Sequence, residues 1–173
     1  MEYCKYIIGI DPGINGGIVV LNRDQCIVDK LIMPIFGKGK KEYDILSICS
    51  FLNKYSKGVA LLERQQPQFK DGKVQLFKTG FGFGMLEGLL TALKISYQII
   101  APKIWQKNIF EGLSTADTKT SSIMFCKRKW PKESWLATIR CKKCHDGLTD
   151  AACIAYYGIK INSLIFYGDN SNE

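Results

Sequence analysis

Apolar residues fall in short runs through the first third of the chain and at helical spacing after it. Tyr6 to Ile10 is one run, closed by Asp11 and the turn Pro12-Gly13-Ile14-Asn15-Gly16-Gly17. Ile18 to Leu21 is a second, Asn22-Arg23-Asp24-Gln25 a polar turn, and Cys26 to Met33 a third. Short apolar runs bounded by Gly, Asn and Asp predict strands. Connections this brief allow only an antiparallel meander, because a parallel crossover takes about a dozen residues. Residues 34–41 read as a flexible basic loop, with Pro34, Gly37, Lys38, Gly39, Lys40 and Lys41.

The period then changes. Ile45, Ile48, Cys49, Leu52 and Tyr55 recur at helical spacing, Gly58 ends that helix, and Val59 to Glu63 reads as a buried strand. A helix between strands makes a parallel, right-handed crossover. Residues 64–78 are polar, contain Pro67 and Asp71-Gly72, and predict a loop. Phe81 to Leu93 is helical despite Gly82, Gly84 and Gly88, Tyr97 to Ala101 is a strand, and Pro102 to Phe110 a short helix. Thr115-Ala116-Asp117 supplies a cap for a helix reaching about Lys127. A basic stretch follows over 127–145, and His145 to about Ile161 forms the last helix. The expected architecture is α/β: a mixed five-stranded sheet flanked by helices, the ribonuclease H-like plan. One domain spans 1–162, with 163–173 as a tail and no repeat or linker to divide the chain.

Composition narrows the function classes. With 173 residues, 46% hydrophobic and 23% charged, the chain has the makeup of a globular domain. No apolar run reaches the roughly 20 residues of a membrane span, and a core strand by residue 6 leaves no room for a signal or transit segment. A membrane partner and a small-molecule substrate are therefore not expected. The net charge of +8 points to a polyanion such as nucleic acid, although excess lysine also serves solubility. Seven cysteines is an odd count. Cys4, Cys49, Cys126 and Cys153 sit in or beside apolar runs, which fits reduced thiols in an intracellular compartment. If the polyanion is DNA, the expected location is wherever that DNA lies: cytoplasm, nucleoid or a viral replication site. Cys141-Lys142-Lys143-Cys144-His145 is half of a zinc pattern with no second pair nearby, so coincidence is the default unless the fold delivers Cys126 and Cys153 to it.

Candidate chemistry lies in four carboxylates. Asp11 and Glu63 end apolar strands, and Asp146 and Asp150 stand four apart, on one face of a helix start. Each has a plain alternative: a turn acid, a surface ion pair beside Arg64, a helix cap. Asp150 resists that treatment, because it borders the apolar stripe of Ala151, Ile154 and Ala155. Converging carboxylates suit hard ions, Mg²⁺ or Mn²⁺, and two such ions can hydrolyse a phosphodiester by in-line attack. His145, the one histidine, is a candidate for proton transfer to the attacking water or leaving group, or merely a surface histidine at a helix start.

The stretches IGIDPGINGGIVVL (8–21), LLERQ (61–65), KDGK (70–73), TGFGFGMLEGLL (79–90) and HDGLTDAACIAYYG (145–158) are spread over nearly the whole chain. Together they resemble the RuvC family of Holliday junction resolvases, most of all the plant chloroplast type, with weaker echoes of poxviral ones. The resemblance implies a ribonuclease H-like fold, a homodimer, and Mg²⁺-dependent paired nicking of four-way DNA junctions. It gives Asp11, Glu63, Asp146 and Asp150 the metal-ligand roles. Many bacterial members space their last two acids three apart, whereas here the spacing is four, which makes His145 a competitor of Asp146. The helix with glycines at 80, 82, 84 and 88 allows close approach of two helices, and the resemblance places it at the dimer interface; packing within one subunit is the alternative.

Two segments are candidate DNA contacts. Gln65, Gln66, Gln68, Phe69, Lys70, Lys73 and Lys78 follow Glu63, with amides and lysines for phosphates and base edges and Phe69 to stack or wedge. Lys127, Arg128 and Lys129, then Arg140, Lys142 and Lys143, would guide a DNA arm. Ordinary polar loops are the alternative for both. An actin- or sugar-kinase-like ATP site needs a second glycine loop for which the chain has no room. A non-catalytic junction binder should lack at least one acid, and none is missing. A ribonuclease acting on RNA–DNA hybrids shares the same chemistry and stays open.

Overall fold

The computed structural model describes residues 4–37, 39, 41–65, 72–112 and 117–166. The strands are β1 (Tyr6–Asp11), β2 (Gly17–Asn22), β3 (Ile27–Ile32), β4 (Ile35–Phe36), β5 (Glu42–Tyr43), β6 (Val59–Glu63) and β7 (Ser96–Ile100). The helices are α1 (Ile45–Asn53), α2 (Lys73–Ala92), α3 (Pro102–Ile109), α4 (Thr118–Lys129) and α5 (Asp146–Phe166). Five strands make one sheet in the order β3-β2-β1-β6-β7. The first three pair as an antiparallel meander, and β1–β6 and β6–β7 pair in parallel, as short turns followed by helical crossovers demand.

Alternation along the strands divides the core. Ile8, Ile10, Ile18 and Val20 face Leu52, Leu86 and Leu90 of α1 and α2. Ile7, Val19 and Leu21 face Trp105 of α3 and Ala151, Ile154 and Ala155 of α5. Helices thus cover both faces of the sheet, which is why β1 and β2 are apolar without interruption. Helix α5 lies against β1 backbone to backbone. A Cβ on Gly9 would collide with the carbonyl oxygen of Ala151 and the amide nitrogen of Ala155, so only glycine admits the helix backbone there. At the head of α5, a Cβ on Gly147 would stand 2.5 Å from Cα of Gly16. These contacts seat the first turns of α5 on the β1–β2 turn.

Two sequence expectations are corrected. Residues 64–78 are not all loop: α2 begins at Lys73, after an extended Gly72. Val74 and Phe77 are 70% and 74% exposed, so the opening turns of α2 lack the buried stripe that makes a helix legible. The basic loop 34–41 is bracketed by a two-strand ribbon, with Ile35 opposite Tyr43 and Phe36 opposite Glu42. Within this chain the α2 glycines do not meet a second helix; Gly82 packs on the Tyr43 ring, and a Cβ at Gly80, Gly84 or Gly88 would meet nothing within 4 Å among the described residues. In addition, α5 continues to Phe166, past the expected end near Ile161.

Candidate active site

Parallel register sets Ile10 against Leu62. The next residues, Asp11 and Glu63, therefore leave the same rim of the sheet on neighbouring strands. Asp146 opens α5 and Asp150 follows one turn later, both directed to this rim by the seating of Gly147 on Asn15 and Gly16. Asp11, Asp146 and Asp150 line a cleft of about 520 Å³, together with Gln65, Lys78 and Lys119. Glu63 is close enough that the Asp11 and Asp150 charges act on it.

The four acids oppose one another. Burial, then the Asp150 and Asp146 charges, push Asp11 up to about 7, against a 3.3 Å hydrogen bond donated by the Gly13 amide. Glu63 is raised to about 8 by burial and Asp11, although the Trp105 indole donates to it at 2.8 Å. Asp150 is raised to about 6 by burial, and a hydrogen bond donated by the Ser122 hydroxyl works in the opposite direction. Lys119 pairs with Asp146 at 3.1 Å. As they stand, no three acidic, histidine or cysteine side chains among the described residues close on one ion-sized point; each carboxylate rests on a protein donor instead. The donor set nonetheless fits a hard divalent cation: it is all oxygen, partly buried and self-repelling, and bound positive charge would remove the conflict.

Sequence reasoning missed the residues that hold these acids. Trp105 is buried on α3 and reaches Glu63 across 42 residues of sequence; Ser122 on α4 reaches Asp150 across 28. Tyr43 donates to the Pro12 carbonyl at 3.0 Å, bracing the turn after Asp11. The one visible signal was the hydroxyl run Thr118, Thr120, Ser121, Ser122 at the start of a predicted helix, capped by Asp117. Lys119 lies in that run.

The predicted contacts scatter more widely. His145 heads α5, and its Nδ1 accepts from the Leu148 amide at 3.3 Å. Burial lowers its pKa, which favours the neutral ring; with Nδ1 accepting, the proton of that form is on Nε2, which can donate but not accept. Gln65 and Lys78 line the cleft, and Lys73 flanks a neighbouring apolar groove. Lys127, Arg128 and Lys129 sit at the opposite end of α4 from Lys119, about 12–15 Å along the axis. Of these, Lys129 is occupied, donating to Gln25 at 2.6 Å and lying over the Tyr156 ring. Lys142 and Lys143 are exposed on the segment leading into α5. Gln66, Phe69 and Lys70 lie outside the described residues. Cys126 and Cys153 meet each other in the core at 3.9 Å, and among the described residues no three Cys, His, Asp or Glu side chains gather as a metal site, so the fold does not deliver them to a zinc site with Cys141 and Cys144.

Solved structures with this architecture settle the fold. Thermus thermophilus RuvC in complex with a Holliday junction substrate matches with a TM-score of 0.60 at 11% identity, over 91% of this chain and 96% of that one. The chain has a RuvC-type, ribonuclease H-like fold. A second Thermus thermophilus RuvC structure matches at 0.56 and 17% identity over the same shares. The yeast mitochondrial Holliday junction resolvase Ydc2 matches at 0.59 and 16% identity, over 96% of this chain and 82% of that one. No protein-family model matches the sequence, and no curated protein aligns with it significantly. The likeness to the chloroplast type rests on the sequence motifs alone. In this RuvC-type fold the two acidic strand ends and the head of α5 share one rim of the sheet.

Proposed function

We propose that the protein is an endonuclease that resolves four-way DNA junctions by paired, metal-dependent hydrolytic nicks. One observation carries the reading: Asp11, Asp146 and Asp150 line one cleft, Glu63 on the neighbouring strand lies within reach of the Asp11 and Asp150 charges, and three of the four are held above the usual carboxylate range. Carboxylates raised in this way, by burial first and by one another's charge second, are characteristic of sites built for a charged ligand. Asp11, Glu63, Asp146 and Asp150 would hold two Mg²⁺ or Mn²⁺ ions. When bound, these supply Lewis acidity at the phosphodiester and a water acidic enough to attack it.

The chain's own residues do the rest. Trp105 and Ser122 orient Glu63 and Asp150 through the bonds described above. Lys119 presents a cation at the cleft wall, and Lys78 with Gln65 meets the flanking phosphates. His145, neutral and with Nδ1 occupied by the Leu148 amide, offers a hydrogen bond from Nε2. Branched DNA as substrate follows the two resolvase neighbours, one bound to a Holliday junction and one named for resolving it. Paired nicks need two sites, and we assign the pairing to a homodimer formed through α2. A groove of about 640 Å³ beside that helix, lined by Phe36, Ile45, Val74, Phe77 and Phe81, supports this. Among the described residues no helix is long and apolar enough to cross a membrane.

The test is incubation of a synthetic four-way junction, a matched duplex and an RNA–DNA hybrid, each with and without Mg²⁺. Symmetric nicks confined to the junction, dependent on the metal and abolished by Asp11→Asn with binding retained, are expected. Cutting of the hybrid in preference to the junction overturns the substrate assignment.

A further inference from the structure

The segment before α5 is a hairpin whose tip carries an apolar side chain. Its base is bolted to the core: Trp135 is 3% exposed, the His145 amide donates to the Trp135 carbonyl at 2.7 Å, and Leu136 bridges Cys144 antiparallel. At the far end the Cys141 amide donates to the Thr138 carbonyl at 3.0 Å, closing a four-residue turn around Ile139 and Arg140. Ile139 is 97% exposed.

A single exposed isoleucine is ordinary. This one is not placed as an ordinary surface residue. Turn centres favour Gly, Pro, Asn, Asp and Ser, and a β-branched residue gains nothing locally there. Every charged neighbour in the turn and returning arm is a cation: Arg140, Lys142 and Lys143. An apolar point inside a cationic rim matches the chemistry of DNA, apolar between its stacked bases and anionic around them. Ile belongs to the side chains that enter base steps as wedges.

We propose that this hairpin is a DNA wedge: Ile139 enters a base step beside the cut while Arg140, Lys142 and Lys143 hold the adjoining phosphates. The proposal rests on the cleft being a DNA-cutting site. His145 and Asp146 adjoin the returning arm, so the tip lies seven residues from a candidate metal ligand. At ~3.3 Å per residue that is at most about 23 Å, or roughly seven base steps of ~3.4 Å. Entering a step costs least where continuous stacking is already interrupted, as it is between the arms of an opened junction, which favours the branch point as the step entered.

The experiment places 2-aminopurine in turn at each position within seven steps of the branch, in a junction and in a matched duplex. Fluorescence is read with the full-length Asp11→Asn protein carrying Ile139, Ile139→Ser or Ile139→Leu. At least one position should brighten with Ile139 and with Ile139→Leu and stay dark with Ile139→Ser. Junction affinity should fall about tenfold for Ile139→Ser, as expected for losing most of one buried aliphatic side chain. Because Ile139 touches almost nothing, its substitution leaves folding intact. No brightening, or equal brightening with Ile139→Ser, overturns the wedge. Cutting by the parent protein is scored separately. Metal-dependent junction nicking without the Ile139 signal sinks the wedge and keeps the nuclease; an Ile139-dependent signal without nicking does the reverse.

Discussion

Replacing Asp11 by asparagine should stabilise the metal-free protein while ending its chemistry. The Asp11 carboxyl is raised from an ordinary 3.8 to about 7, first by burial and then by Asp150 and Asp146. A group whose folded pKa lies above its unfolded value destabilises the fold when ionised. The penalty is absent below about pH 4, grows as pH rises, and levels off above the folded pKa. At ~1.4 kcal/mol per pKa unit the full penalty at pH 8 is about 4 kcal/mol, reduced to about 2–4 kcal/mol as side chains relax and water enters. Asparagine keeps the oxygen that accepts from Gly13 and nearly the same volume, without the charge. For 173 residues, 1 kcal/mol moves Tm by roughly 2–4 °C, so the variant should melt about 4–16 °C above the parent at pH 8 in EDTA. At pH 5 the gap should shrink to less than about half. Adding Mg²⁺ should raise the parent's Tm and close the gap further, because bound ions relieve the same repulsion. Thermal unfolding followed by circular dichroism at both pH values, with and without Mg²⁺, reads all three effects. A variant melting at or below the parent at pH 8 without metal would refute the argument that these charges are in conflict.

Other outcomes follow from the same geometry. Asp150, Asp11 and Glu63 must lose protons held to about 6, 7 and 8 before they ligate, so half-saturating Mg²⁺ for nicking should fall steadily from pH 6 to pH 8; a flat titration would count against them as ligands. Ser122→Ala removes the hydrogen bond that lowers Asp150 and should cost about tenfold in nicking at pH 7, recovering towards pH 8.5. An equal loss at every pH would assign Ser122 to packing alone. Gly9→Ala drives a methyl into the α5 backbone and should cost about 2–3 kcal/mol in urea unfolding, with nothing comparable at the open Gly84. Phe77→Glu should convert a dimer to a monomer in light scattering; an unchanged mass would move the interface off α2.

The elements that carry acids were legible because each ends or begins an uninterrupted signal. The Tyr6–Ile10 and Val59–Leu62 runs close on Asp11 and Glu63, and the Ala151, Ile154, Ala155 stripe opens at Asp150. Periodicity reports burial, so it failed where burial and structure part company. The first turns of α2 are helical yet expose Val74 and Phe77, and two-residue strands such as β4 and β5 are too short to show any period. Trp105 and Ser122 were invisible for a different reason: a polar atom's partner across dozens of residues depends on how the crossovers dock, and no local spacing encodes that. Most of the site's geometry resides in residues without functional groups. A one-residue slip of β6 against β1 would turn Glu63 to the opposite face of the sheet, and register is held by the two-sided packing of Ile8, Ile10, Leu61 and Leu62. The height of Asp146 and Asp150 over that rim is set by the Gly9 and Gly147 contacts. The carboxylates are therefore forced together by apolar packing and bare backbone, and their burial, with the mutual repulsion added to it, is the strain that a bound cation would relieve.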